Sequence, residues 1–315
     1  MFEVIFLGTS ASAPSVYRGL PALAVLAGEH RFLVDCGEGT QRQILKSGIG
    51  FKRLNRILLT HGHLDHILGL AGLLSTFMRW ESIEELEIWG GTHTLNRVHD
   101  LIYGVVLRGQ RPPMPIHLID LEPGVLFEAK KFTIEAFPVT HRGPGNFGFI
   151  FAERAHRPFL ADRAEALGIP PGPERGRLAA GESITLADGR VIHPDDVLGE
   201  TVPGAKLVVI GDIARTDNLP SQIAGADALV MEATYSGEEA DFAADFGHMT
   251  AAGAASFARE AGVKTLILTH LSRRNRERDV LDEARAIFPN TYVARDFDRF
   301  SISKNKPVER LDPAE

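Results

Sequence analysis

Ile57-Leu-Leu-Thr-His61-Gly-His63-Leu-Asp65-His66 is the stretch of this 315-residue chain on which its fold turns. The apolar run Ile57 to Thr60 reads as a buried strand, and Ile67-Leu-Gly-Leu-Ala-Gly-Leu-Leu reads as the start of a helix. Three imidazoles and a carboxylate therefore fall on a tight strand-to-helix turn. Neutral imidazole nitrogens and carboxylate oxygens are the donors that zinc and similar metals accept. Four donors exceed what one catalytic zinc uses, because such a zinc keeps a position open for water. The spacing points to two metals.

Further along the chain, other strand ends offer the same chemistry. Val139-Thr-His141 follows the alternating segment Phe132 to Phe137. Val208-Val-Ile-Gly-Asp212 is an apolar strand ending in a carboxylate, and Leu266-Ile-Leu-Thr-His270 is another ending in a histidine. Ile57-Leu-Leu-Thr-His61 and Leu266-Ile-Leu-Thr-His270 are nearly one phrase written twice, which suggests two pseudo-equivalent halves. His248, expected at a helix start after Phe246-Gly247, and Glu232, ending the strand Asp227 to Met231, form a candidate imidazole–carboxylate pair for general acid work. The turn Asp35-Cys-Gly-Glu-Gly reads as a shaped loop beside the site, its glycines taking positive φ. His30, His93, His99, His117, His156 and His193 lack a partner motif and read as ordinary histidines.

Bulk properties set limits. A hydrophobic content of 44% and a charged content of 24% are ordinary for a soluble globular chain. The N-terminus lacks the basic region of a secretory leader, and no apolar run is long enough to span a membrane. Cys36 is the single cysteine, which excludes an internal disulfide and a cysteine-based zinc site and fits the cytoplasm. A net charge of −7 argues against a broad nonspecific nucleic-acid surface. Even so, Arg273, Arg274, Arg276 and Arg278 follow His270, and arginine forks suit phosphate oxygens.

The expected strands are 2–7, 22–27, 31–35, 56–60, 86–89, 132–137, 206–211, 227–231, 264–268 and 298–303. Helices are expected over 39–47, 66–79, 249–260 and 277–287. Early hairpins and later alternation imply an α/β fold of two sheets face to face with helices outside. We read one domain over 1–315, with an insertion at 154–205 that is rich in Pro, Gly and charge and poor in core periodicity. The last eight residues read as a frayed tail.

These motifs resemble the metallo-β-lactamase superfamily, and within it the ribonuclease Z family of tRNA 3′-processing endonucleases. The resemblance runs from Phe6-Leu-Gly-Thr-Ser10 and Asp35-Cys-Gly-Glu-Gly-Thr-Gln41 through the His61–His66 motif. It continues in Pro170-Pro-Gly-Pro-Glu-Arg-Gly-Arg-Leu178, Gly211-Asp212, Glu232-Ala-Thr-Tyr235, His248-Met-Thr250 and His270-Leu-Ser-Arg273. It implies an αββα sandwich with a protruding arm at 154–205 that grips tRNA. It implies two Zn2+ per chain (Mn2+ or Mg2+ as alternatives), one on His61, His63 and His141, the other on Asp65, His66 and His270, with Asp212 bridging. Asp65, His248 and Glu232 are then the catalytic residues, precursor tRNA the substrate, and a homodimer the working form. Two departures stand out: Val16 replaces the base of the family's Pro-x-Lys-x-Arg loop at Pro14 to Arg18, and Ile213 and Arg215 depart from the usual Gly-Asp-Thr-Arg phrase. The chemistry leaves two other readings open, a phosphodiesterase or esterase of small molecules on the same fold and a non-catalytic RNA-binding protein.

Overall fold

A computed structural model of the chain describes residues 1–80, 83–219, 221–304 and 306–311. The chain divides into two compact units, one made of Met1–Ala152 with Ala205–Glu315, the other of Glu153–Gly204.

The first unit is built on two sheets whose strands sort their side chains by parity. In Phe2–Gly8, the residues Phe2, Val4 and Phe6 enter one buried cluster while Ile5 and Leu7 enter another. In Lys206–Val209, Leu207 and Val209 join the first cluster and Val208 a third. Side chains alternate across a strand, so a strand that is apolar at every position must be covered on both faces. The first cluster fills the space between the sheets. Phe2, Phe32, Phe132 and Phe151 meet there edge to face, with centroids 5.8–6.1 Å apart. The second cluster packs helices Thr40–Ser47 and Gly69–Trp80 onto one sheet through Ile44, Leu70, Leu74 and Phe77. The third packs Ala251–Glu260 and Glu277–Ile287 onto the other through Ala254, Ala258, Val280 and Ala284. Three cores between four layers make the expected αββα sandwich.

The eight-stranded sheet runs Glu309–Leu311, Arg299–Ile302, Phe2–Gly8, Ala22–Ala27, His30–Val34, Arg56–Leu58, Leu86–Gly90, Ile116–Asp120. The seven-stranded sheet runs Thr291–Val293, Leu266–Thr269, Ala228–Glu232, Lys206–Val209, Phe147–Glu153, Phe132–Pro138, Gly124–Glu128. Pairing is parallel from His30–Val34 to Ile116–Asp120 in one sheet and from Lys206–Val209 to Thr291–Val293 in the other. Each sheet thus gathers several strand C-termini on one edge, where loops carry function.

Several sequence expectations shift. The strand at 56–60 stops at Leu58, and the helix at 66–79 begins earlier, as a turn over Leu64–Ile67 followed by Gly69–Trp80. The tail is not frayed throughout: Val308 is buried and Glu309–Leu311 pairs with Arg299–Ile302; residues 312–315 lie outside the described residues. Strands Ile116–Asp120, Gly124–Glu128 and Phe147–Glu153 and the helix from Thr92 were not anticipated.

The insertion expected at 154–205, read as poor in core periodicity, corresponds to the second unit, Glu153–Gly204. It has a small core: Ala164, Ile169, Leu178, Ile184, Ile192 and Val197 are buried together. Short helices Ala161–Ala166, Pro173–Ala179 and Pro194–Val197 and the hairpin Ile184–Thr185 with Val191–Ile192 supply them. The apolar residues are too few per element to show a period.

Candidate active site

All seven residues expected to bind metal come together in the first unit. His61, His63, His141 and Asp212 each offer a donor atom within 4.8 Å of the others, and so do Asp65, His66 and His270. Asp212, which follows the strand Lys206–Val209, lies between the two groups. Its Oδ2 is 3.6 Å from His61 Nε2 and 3.7 Å from His141 Nε2. Its Oδ1 is 3.4 Å from His66 Nε2 and 3.2 Å from His270 Nε2. One oxygen therefore faces each group. Asp65 Oδ2 lies 3.7 Å from His66 Nε2 and 3.6 Å from His270 Nε2, and accepts a hydrogen bond from the Ser12 backbone N–H at 3.0 Å.

The ring nitrogens turned away from this cluster are held one by one. Asp35 Oδ2 receives His66 Nδ1 at 2.7 Å, and Thr60 gives both its N–H and its hydroxyl to the same carboxylate at 2.8 Å. The Gly247 carbonyl receives His141 Nδ1 at 2.7 Å. The Thr234 hydroxyl is 2.8 Å from His270 Nδ1, and Thr60 Oγ1 is 3.0 Å from His61 Nδ1. His63 is the exception, turning Nδ1 inward to within 3.3 Å of His141 Nε2. Partners of this kind fix ring orientation and tautomer for metal ligation.

What the inner atoms lack is as informative. Among the described residues, His61 Nε2, His66 Nε2, His270 Nε2 and Asp212 Oδ1 are buried side-chain atoms without a hydrogen-bond partner. Four orphaned donors in one pocket are costly unless something binds them. Charge says the same. Burial, and then the neighbouring His66, hold His61 well below the usual histidine range. Burial also presses His66 down, but the Asp212 and Asp35 carboxylates outweigh it and hold that imidazole well above its ordinary value. Burial disfavours charge on Asp212, yet His270, His66 and His61 overcome it and keep it well below the carboxylate range. Carboxylates and imidazoles here seek positive charge in one small volume, which a divalent cation supplies. The residues present fit such an ion.

Glu232 and His248 are also joined. Glu232 is fully buried at the end of Ala228–Glu232, and its two oxygens are each 3.1 Å from His248 Nδ1. It also accepts the Ile213 N–H at 2.7 Å and the Thr234 hydroxyl. Burial opposes protonation of His248, but the hydrogen bond and charge of Glu232 raise it above the histidine norm. His248 does not open a helix as expected. It sits between Ala240–Phe246, closed by Gly247 at φ 69°, and Ala251–Glu260, whose N-cap is Thr250.

Two readings of the surroundings change. In the Asp35–Gly39 turn, Asp35 itself (φ 59°) and Gly39 (φ 86°) are left-handed, while Gly37 is required by space, since a Cβ there would lie 2.4 Å from the Asp65 carbonyl oxygen. Sequence reasoning favoured a shaping role for Asp35 and missed its grip on His66, along with the contacts of Thr60, Thr234 and Gly247. Arg18 is not a free base on its loop. It is tied to Glu277, the Thr9 hydroxyl and the Ala294 carbonyl at 2.6–2.8 Å, while Val16 and Tyr17 are 94% and 88% exposed. In the Arg273–Arg278 run, Arg274 and Arg278 each lie 3.5 Å from a carboxylate, Glu239 and Asp282.

The likeness to known proteins agrees with this geometry. A family model described as Beta-lactamase superfamily domain matches residues 30–271. Ribonuclease Z of Bradyrhizobium diazoefficiens is 50% identical over 302 residues, covering 96% of this chain and all of that one. Ribonuclease Z of Bradyrhizobium sp. is 49% identical over 302 residues with the same coverage. Among solved structures, human tRNase Z, short form, is similar at a TM-score of 0.65 and 26% identity, over 95% of this chain and 98% of that one.

Proposed function

The chain belongs to the ribonuclease Z family of the metallo-β-lactamase superfamily, and from that premise we infer an endoribonuclease that removes the 3′ trailer of precursor tRNA by metal-dependent hydrolysis of a phosphodiester. The observation that carries the reading is the convergence of seven donor residues with four buried donor atoms left unpartnered.

His61, His63 and His141 would hold one divalent ion, and Asp65, His66 and His270 a second, with Asp212 serving both. The nitrogen-rich donor set favours zinc. Bound there, the ions supply charge stabilisation at the phosphoryl oxygens and a nucleophile at neutral pH. The chain's own residues do the rest. Asp65 takes the proton of the attacking water, its carboxylate fixed by the Ser12 N–H. His248 gives a proton to the departing ribose 3′ oxygen. Glu232 accepts from its Nδ1 and so leaves Nε2 for the substrate. A fully buried carboxylate holding one ring nitrogen is a standard arrangement for a general acid.

Residues Glu153–Gly204 serve in this reading as a tRNA-gripping arm that works on a partner subunit of a homodimer. Arg157, Arg177 and Arg190 pair with Asp195, Glu182 and Asp188 at or near the surface. Such exposed pairs contribute little to stability, so tRNA phosphates can replace the carboxylates. Replacing 153–204 by a short turn should raise KM for precursor tRNA and spare small diesters. A cytoplasmic location goes with this reading, in which Cys36 is a free, buried thiol; no helix among the described residues is long and apolar enough to cross a membrane.

The test is the metal-loaded protein with precursor tRNA, with and without a CCA end, beside bis(p-nitrophenyl) phosphate. Cleavage at the trailer junction supports the reading. Hydrolysis of the diester with no cut in any precursor would overturn it.

A further inference from the structure

A pocket beside the metal-binding turn remains unused by this chemistry. Gly62, His63, His93, Arg97, Arg142 and Asn146 line it. Arg97 and His93 stand four apart on the helix Thr92–His99, and so share a face. Arg142 follows His141 directly. The two guanidiniums have different supports. Arg97 donates to the Gly62 carbonyl at 2.6 Å, within the His61–His66 motif itself. Arg142 lies over the Phe246 ring, 5.6 Å from its centroid.

Neither arginine has a carboxylate in ion-pairing range among the described residues, and no acidic side chain lines the pocket. In a chain of net charge −7, two unneutralised arginines around one opening form a local positive field, with the His93 imidazole beside them as a further polar group. The Asn146 side chain pins the opposite wall by donating to the Gly143 carbonyl at 2.9 Å. Close backbone approach also shapes this wall: a Cβ on Gly91, just before the helix, would lie 2.4 Å from the Gly145 carbonyl oxygen. Since His63 is shared between pocket and metal cluster, an anion held here sits one step from the reacting phosphate.

We propose that His93, Arg97 and Arg142 form a subsite for a backbone phosphate of the RNA next to the scissile linkage. The proposal rests on the endoribonuclease reading and deepens it. Arginine forks bind phosphate oxygens bidentately, and the Gly62 hydrogen bond sets Arg97 in register with the metal-binding turn. The subsite aligns the strand at the cut and reads no base.

The test pairs a protein change with a substrate change. Arg142→Ala should lower kcat/KM for precursor RNA about tenfold relative to kcat/KM for bis(p-nitrophenyl) phosphate, the scale of one charge-assisted hydrogen bond. In the unaltered protein, a neutral methylphosphonate at one linkage flanking the cut, 5′ or 3′, should cost a similar factor. In Arg142→Ala that same methylphosphonate should cost nothing more, and His93→Ala should show the same pattern at the same linkage. Arg97→Lys, which keeps the charge but not the fork, should retain part of the discrimination. In Arg142→Ala the salt dependence of kcat/KM should flatten by about 0.7 in log–log slope, the value for one single-strand phosphate that is no longer neutralised. The proposal is overturned if every flanking methylphosphonate costs Arg142→Ala as much as it costs the unaltered protein, or if RNA and small-diester activity fall together. Failure of the function itself would show differently, as an unaltered protein that cuts no precursor, and would end both readings.

Discussion

The two halves of the candidate metal site are written with nearly the same phrase and built differently. In the first, His61, His63 and His141 are all imidazoles, and the ring nitrogens turned outward meet a hydroxyl, Thr60, and a peptide carbonyl, Gly247. In the second, a carboxylate joins the donors as Asp65, and His66 is held from behind by another, Asp35. The repeated phrase also bends differently at its end. His270 takes a left-handed backbone, φ 57°, and its hydroxyl partner comes from Thr234 on the neighbouring strand end. Within the first phrase, Thr60 itself reaches His61. A non-glycine residue held there stores about 1–3 kcal/mol, and two residues of the second half, Asp35 and His270, carry it. The comparison teaches that equal ligand counts do not make equal sites. The second half is richer in negative charge and more strained, and should bind a cation more tightly while depending more on its supports.

The most severe way to break the comparison is to remove what both halves share. Asp212→Ala should lower metal content in both halves and cut turnover roughly 10³-fold or more, since ion-assisted catalysis disappears with the ions. Metal analysis beside activity checks it; a variant that loses one half's ion and keeps the other would show that the bridge serves one side alone.

Next in size is His248→Ala, which should leave metal content intact and slow precursor cleavage by about 10²–10⁴-fold, the range for a proton donor. The defect should shrink for a nitrophenyl diester, whose leaving group needs no proton. Equal losses on the two substrates would remove the general-acid assignment.

Asp35→Asn sharpens the contrast between the halves. It should weaken metal binding about 10–100-fold, the usual scale for such supporting carboxylates, and chiefly at the second half, whose His66 it holds directly. Chelator titration should then show the second half's ion released at lower chelator concentration, with the first half's nearly unchanged. Asparagine tolerates left-handed φ, so backbone relief is not confounded with the missing charge. The smallest effect is expected from Thr234→Val and Thr60→Val, each removing one hydroxyl donated to a carboxylate, Glu232 or Asp35, that keeps its other partners. The first should act on the half containing His270. The second should reach both halves, because Thr60 touches His61 and Asp35 alike.

The candidate ligands were legible because each follows an apolar strand, and a polar donor after such a run is a signal that needs no partner to be read. Their supports were not. His141 is held by a backbone carbonyl, Gly247, 106 positions away, and a carbonyl leaves no trace in a sequence. Asp35 looked like a turn residue because its partner His66 lies on the far side of a strand and a helix. The four layers could be read from parity in strands such as Phe2–Gly8. The edge strand Gly124–Glu128 is mostly exposed and showed no such pattern. The helix from Thr92 was hidden because it runs into the wider coil Asp100–Leu107, where Arg108 bonds back to Tyr103. His93 and Arg97 did leave a mark in their i, i+4 spacing, but no motif drew attention to it.

Ala152 and Lys206 are direct partners in one antiparallel ladder, so the chain leaves the host sheet and re-enters it at adjacent points. For the sheet, everything between them is a hairpin connection, and the entropy of closing a flexible loop grows only with the logarithm of its length, about 0.6 kcal/mol per doubling. The host is therefore nearly indifferent to how much chain is spliced in there. Insertions of different size can be exchanged at this junction without repacking either core, which makes it the natural seam for recombination and for grafting one recognition element in place of another.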